Sequence, residues 1–301
     1  MVSVIITTCK RAPKIVERAI ISVVEQTYRN WELIIIDDSP DSYEKRDQVQ
    51  TIVQKYSNKY SVSYHQNKVN SGACYSRNRG LELAKGEYVA FLDDDDEWLP
   101  EKLSEQVRAI EAAPENVALV YCSYYRYTDE SGEKELVALP IQKSSTYADL
   151  MRDGNRIGGM SMPLLKKECV RNVGGFDELM ESAQDMDLWL RLAKGYSLIG
   201  IDLPLVLYHV HAGEQITSDP KKKIAGLERL NQKNRDYLEA HKEIKWRRQL
   251  SLIRYYVLAG KKKEAFAIWK KSAYLCPSQL IYNAKELVRI MLGEYCQKGE
   301  D

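Results

Sequence analysis

Short runs of β-branched and aliphatic residues alternate with amphipathic stretches through the first hundred positions. Val2–Thr7 is a continuous β-branched run, the pattern of a strand buried on both faces. Residues 12–28 follow as a helix, with Pro13 suited to its first turn and Ile15, Ala19, Ile20, Val23 and Val24 on one face. Trp31–Asp37 reads as a second buried strand, 43–59 as a polar surface helix and 61–67 as a short strand. A helix over 72–86 closes at Gly86, and 87–93 is another strand. This alternation implies a parallel, doubly wound sheet, whose ligands sit beyond the carboxyl ends of the strands. Thr7, the pair Asp37 and Asp38, and the run Asp93–Asp96 all fall at such ends. Three polar clusters therefore converge on one rim.

Beyond Pro100 the pattern loosens. Lys102–Ala112 is a helix, and Val117–Thr128 a strand with aromatic alternation. Residues 129–134 read as a turn, and 152–163 (RDGNRIGGMSMP) as a mobile Gly-rich loop that could close over a bound ligand. Residues 185–195 are helical and 203–211 extended, and from about Lys221 the chain is helical and rich in Lys and Arg. The expected division is two halves of one α/β domain, 1–98 and 99–218, followed by a basic helical extension, 219–301.

Composition narrows the class. The 301 residues are 44% hydrophobic and 29% charged, as in an ordinary globular protein with one large core or one domain plus a lobe. A net charge of +1 argues against nucleic acid as a partner. The charge is uneven: 19 Lys and Arg face 10 Asp and Glu from Asp219 onward, against 25 and 33 before it. The six cysteines form no CxxC pair, which suits reduced thiols in a cytoplasmic protein. The N-terminus lacks the length and basic start of a signal peptide, and no run of about 18 apolar residues occurs.

The chemistry concentrates in YVAFLDDDDEWLP, residues 88–100, where a hydrophobic strand runs into four aspartates. Two carboxylates about 4 Å apart repel by roughly 4 kcal/mol at an effective dielectric near 20. Either the four fan out into water as an acidic turn, or a cation is held there. Magnesium and manganese favour one or two carboxylates plus substrate phosphates. Thr7 and Asp38 suit a nucleotide or a plain turn, and Arg77 and Arg79 suit phosphates or an exposed helix face. Asp185 and Asp187 open an apolar helix, where acids complement the helix dipole or serve as a general base. His209 and His211 lie in the extended segment, and at most one is a candidate metal or phosphate contact.

Five ordered segments carry a resemblance: VSVIITTCKR, SVVEQTYRNWELIIIDDSPDS, NSGACYSRNRGLELAKGEYVAFLDDDDEWLP, GGFDE with QDMDLWLRL, and YHVHAGEQIT. From Val2 to about Thr217 the chain resembles an inverting nucleotide-sugar glycosyltransferase of family 2. The resemblance implies the GT-A fold, a Rossmann-like, mostly parallel sheet flanked by helices. It places Thr7 and Asp38 at the base (typically uracil), Arg77 near the diphosphate, and Asp93 and Asp94 at the nucleotide. Asp93, Asp95 and His211 fall on the Mn2+ or Mg2+ site, and Asp185 matches the catalytic base. The implied donor is a nucleotide-diphosphate sugar, and the acceptor a sugar or lipid-linked saccharide in bacterial-type polysaccharide or glycolipid assembly. The basic tail adds peripheral contact with the inner face of the cell membrane, or a homodimer contact. Two positions depart from the family's pattern: Gln184 stands where Glu commonly precedes the base, and His209 where Arg is common. A noncatalytic nucleotide-sugar-binding subunit is the competing reading.

Overall fold

The computed structural model describes residues 1–140, 145–210 and 219–272, together with 285, 288 and 289. The chain divides into two units. One comprises Met1–Glu178 and Asp185–Ala212, the other Leu179–Gln184 and Gly213–Asp301.

The first unit is built on strands β1 (Val2–Thr8), β2 (Trp31–Asp37), β3 (Val62–Gln66), β4 (Tyr88–Asp93), β5 (Glu97–Trp98), β6 (Val117–Thr128), β7 (Lys134–Val137), β8 (Leu164–Lys166) and β9 (Ser197–Val210). Among the described residues they form one sheet in the order β3-β2-β1-β4-β8-β6-β9-β5, with β7 paired to β6. β1 lies between β2 and β4 and is parallel to both, and β2 is parallel to β3. β8 runs antiparallel to β4 and to β6, so β6 points the same way as β4, and β9 is parallel to β6. The sheet is therefore mostly parallel, with β5, β7 and β8 against the common direction.

Helices α1 (Pro13–Val24), α2 (Arg46–Ser57), α3 (Ala73–Leu83), α4 (Lys102–Glu111), α5 (Tyr147–Asp153), α6 (Lys167–Asn172) and α7 (Gln184–Ala193) accompany these strands. Burial on both faces explains why β1 and β2 read as unbroken apolar runs: every residue of β2, and all of β1 but Thr7, is buried. α3 lies tight on β1 because Gly80 has no side chain; a Cβ there would stand 2.5 Å from Ile5 Cγ2. β1 connects outward on one side to β2 and β3, and its other neighbour is β4. This reversal point is where open α/β sheets bind ligands.

Three differences from the sequence reading have local causes. β5 is two residues long and exists because Glu97 and Trp98 pair with Leu207 and Val206 of β9. β7 follows the 129–132 turn as the return arm of a hairpin with β6. The segment expected as a mobile lid follows a capped helix and is partly packed inside. α5 starts on a reciprocal cap between Thr146 and Asp149, and Ile157, Met160 and Met162 are buried.

The second unit contains α8 (Pro220–Lys233), α9 (Arg235–Ala240), α10 (Lys242–Leu258) and α11 (Lys262–Ser272). Asp219 caps α8, accepting from the Lys221 amide at 2.9 Å. Gly226 lets α8 approach residue 182, since a Cβ would stand 2.5 Å from the Ser182 carbonyl oxygen. Ile253 of α10 and Ala265 of α11 form a small core with Leu250, Val257, Ile268 and Trp269.

One buried cation in the first unit's core gives a test of this packing. Lys102 is 0% exposed, with Nζ donating to Gln106 Oε1 at 2.6 Å and lying 4.0 Å from the Trp98 ring centre. Burial pushes its pKa down to about 8, and burial pushes that of the facing Cys122 thiol up to about 11. The folded chain thus sheds the Lys102 proton more readily than the unfolded chain. This contribution to stability is lowest below about pH 8 and rises toward the unfolded lysine value near 10.4. Lys102→Met lacks the rise. Its stability relative to wild type should fall, on the order of 3 kcal/mol, between about pH 7 and about pH 10 in denaturant titrations. A pH-independent difference would contradict the assignment.

Candidate functional site

Register places the predicted rim together. Thr7 pairs with Ile36 on one side and Asp93 on the other, and Thr8 with Asp37. The parallel strands β6 and β9 end at the same rim, with Tyr127 beside His209.

The four aspartates alternate in burial. Asp94 is 5% and Asp96 2% exposed, whereas Asp93 and Asp95 are only partly buried. The turn closes by the Asp96 amide donating to the Asp93 carbonyl at 3.1 Å. Asp96 accepts from the Ser161 hydroxyl at 2.6 Å and from the His209 amide at 3.2 Å. Ser161 Oγ also accepts from the Asp93 amide (3.1 Å), and its carbonyl accepts from Trp98 Nε1 (2.9 Å). One serine thereby fastens the entry, the far end and the exit of the turn.

Protein cations meet the remaining charge. Arg11 Nε reaches Asp94 Oδ1 at 2.9 Å and its Nη2 reaches Asp95 Oδ2 at 2.8 Å. Arg77 Nη2 donates to Asp93 Oδ1 at 3.0 Å, and its guanidinium carbon lies 5.7 Å from the centre of the Phe176 ring. Lys10, directly before Arg11, adopts the left-handed region (φ 52°), uncommon for a residue with a side chain. Burial raises the pKa of Asp94 to about 7, against the lowering effect of Arg11. Burial, and then the charges of Asp93 and Asp95, raise Asp96 well above the usual carboxylate range. The four adjacent charges resolve into two inward acids whose pKa burial raises, Asp94 among them still paired with Arg11, and two outward carboxylates, each on an arginine.

Asp38 is buried and heavily engaged. Its Oδ1 accepts from Asn67 Nδ2 (2.7 Å) and the Ser71 amide (2.9 Å), and its Oδ2 from the Gly72 amide (2.8 Å). It shapes the bend that starts α3, the helix carrying Arg77. Arg79, on the same helix, donates to the Gln66 carbonyl and to Asn67 Oδ1, both at 2.6 Å.

Asp185, in the first turn of α7, accepts from the Met186 amide at Oδ1 (2.8 Å) and from Asn155 Nδ2 at Oδ2 (2.9 Å). Asp187 is instead buried on Arg191, whose Nε lies 2.9 Å from its Oδ2. His209 is buried at 3% exposure between two carboxylates, with Nδ1 2.5 Å from Asp129 and Nε2 2.7 Å from Glu97. Arg18 of α1 lies 3.5 Å from Glu97 and 3.7 Å from Asp129, and donates to the Asp95 carbonyl at 2.6 Å. His209 thus builds an interior link from β9 to the aspartate turn. His211 lies outside the described residues.

Arg11, Arg18, Asn155 and Ser161 were not singled out by sequence. Arg11 carried a signal in its place just past the first strand; the others act through contacts distant along the chain. Among the described residues no group of three or more His, Cys, Asp or Glu side chains is arranged to hold a metal alone. The two outward carboxylates have the hard oxygen donors that a divalent cation such as Mg2+ or Mn2+ favours.

The family model described as Glycosyl transferase family 2 matches residues 3–173. WcaA of Escherichia coli (strain K12), named for colanic acid biosynthesis, is 33% identical over 255 residues, 78% of this chain and 87% of that protein. WfaP of Escherichia coli, a UDP-Glc:alpha-D-GlcNAc-diphosphoundecaprenol beta-1,3-glucosyltransferase, is 33% identical over 196 residues, 64% of this chain and 70% of that protein. Staphylococcus aureus TarS 1–349 with UDP-GlcNAc superposes with a TM-score of 0.66 at 18% identity, covering 96% of this chain and 89% of that one. The Pyrobaculum calidifontis mannosyltransferase PcManGT, with GDP-Man and Mn2+, gives 0.60 at 17%, covering 98% and 88%. At such identities the two structures speak to the GT-A fold alone.

Proposed function

The chain belongs to glycosyl transferase family 2, and from that premise we propose that it transfers one sugar, with inversion, from a nucleoside-diphosphate sugar to an acceptor hydroxyl. The observation that carries the reading is a shared loop. Residues 154–163 touch the aspartate turn through Ser161 and touch Asp185 through Asn155. That shared loop supports reading the aspartate turn and Asp185 as one constellation.

Thr7 and Asp38 face the nucleotide base. An ionised carboxylate has about four lone-pair sites, so three engaged donors leave Asp38 about one for a base N–H. Arg77 and Arg11 meet the diphosphate, and Asp94 contributes by orienting Arg11. Asp93 and Asp95 would hold Mn2+ or Mg2+, with His211 as a further protein ligand. When bound, that cation would neutralise charge on the departing diphosphate. Asp185 takes the acceptor hydroxyl's proton as the new glycosidic bond forms and the bond from the anomeric carbon to the diphosphate breaks, its electron pair leaving with the diphosphate. A single displacement from the open face requires inversion. The name of WcaA supports an acceptor in polysaccharide assembly, and that of WfaP a UDP-sugar donor and a lipid-linked saccharide acceptor.

A panel of UDP- and GDP-sugars, assayed with Mn2+ for binding and turnover, tests the reading. One or more should bind, and Asp185→Asn should keep donor binding while losing about 10²–10⁴-fold in turnover. Absence of binding by every donor, or full turnover by Asp185→Asn, would remove it.

The second unit supports peripheral contact with an anionic bilayer. On α11, Phe266 is half exposed and shares the helix's outer face with Lys262, Lys263 and Lys270, a pattern suited to the headgroup region. No described helix is long and apolar enough to cross a membrane. The full chain should co-sediment with phosphatidylglycerol-containing vesicles at low salt and be released at high salt. Phe266→Ala with Lys262→Glu should weaken the binding. Failure to sediment at low salt would exclude the contact.

A further inference from the structure

Asn155 lies in the connection from α5 to β8, and no motif marks it. Its Nδ2 donates to Asp185 Oδ2 (2.9 Å) and to the Gly158 carbonyl (3.0 Å), while its Oδ1 accepts from the Ile157 amide (3.1 Å). These bonds to its own loop decide which end of the amide faces α7. In the flipped orientation an oxygen would meet two acceptors, the Gly158 carbonyl and the Asp185 carboxylate. The loop that carries the amide is itself fixed. Ile157 is fully buried, Met160 and Met162 nearly so, and the Met162 carbonyl accepts from buried Gln106 at 2.7 Å.

The ionisable neighbours on the two elements are engaged with each other. Asp187 pairs with Arg191 on α7. At the end of α5 and the start of the loop, Asp153 pairs with Arg152 and Arg156, and Arg152 also with Asp149. Asn155 reaches from this loop to Asp185 as a neutral donor.

We propose that Asn155 is a positioning residue for Asp185, holding one carboxylate oxygen at a fixed angle and so setting the direction from which the carboxylate meets the acceptor hydroxyl. The inference rests on Asp185 being the base. It adds that the base is oriented by the same loop whose Ser161 holds the aspartate turn, so that acceptor activation and donor binding share one support. A hydrogen bond to the ionised form also favours that form, so Asp185 should stay deprotonated to lower pH with Asn155 than without it.

The test uses the full chain with selectively 13Cγ-labelled aspartate, the Asp185 signal being assigned through Asp185→Asn. In Asn155→Ala the Asp185 titration midpoint should rise by about one pH unit. In Asn155→Asp, which keeps an acceptor for the Ile157 amide but places a carboxylate against Asp185, it should rise further. Turnover of the donor identified by the panel should fall about 10-fold or more in both variants, with donor Kd within about two-fold of wild type. If Asn155→Ala does not fold, Asn155→Asp decides alone. An unmoved midpoint in a folded variant overturns the proposal while leaving the base assignment intact. A moved midpoint together with wild-type turnover by Asp185→Asn overturns the base assignment, and the proposal falls with it.

Discussion

The rim of this protein depends on how negative charge is distributed along Asp93–Asp96. Two of the four carboxylates are driven into the interior, where desolvation favours their neutral form and Ser161 and the His209 amide satisfy Asp96. The other two remain outward and are held by Arg11 and Arg77. A strand that emptied into four free charges would repel itself open; this alternation makes a short, rigid turn possible. The turn is held at both ends by the sheet, through β4 at its entry and through β5 against β9 at its exit. Its shape is therefore fixed by the core.

That support explains why residues far apart along the chain meet. β1 carries Thr7 beside Asp93, and the bend ordered by Asp38 starts the helix that presents Arg77. His209 is locked between Glu97 and Asp129 and lends its amide to Asp96. His209 thus serves as an interior tie between β9 and the aspartate turn. Arg11 supplies a cation to the rim from the first loop.

Most of the first half was legible in the sequence, because β-branched runs buried on both faces and the strand-end aspartates are local patterns. β1, β2, β3 and β4 and their helices follow directly from such patterns. The parts that were not legible are short or depend on distant partners. β5 and β8 span two and three residues, and neither has a periodicity of its own. Ser161 meets Asp96 across 65 positions, Arg11 meets Asp94 across 83, and the His209 amide meets Asp96 across 113. The Gly-rich composition of 152–163 pointed to mobility, but Ile157, Met160 and Met162 pin the segment to the core. Three buried apolar residues outweigh the glycines there.

In the proposed reaction a cation and a diphosphate together would replace arginine as the partner of the outward carboxylates. The most direct measurement is Mn2+ binding to the wild-type chain, followed by electron paramagnetic resonance with and without UDP. Two carboxylates already engaged by arginine should bind the ion weakly alone, and UDP should tighten binding by about ten-fold or more, with Asp95→Asn removing the gain. Mn2+ affinity that is the same with and without UDP, or UDP binding indifferent to Mn2+, would contradict the account.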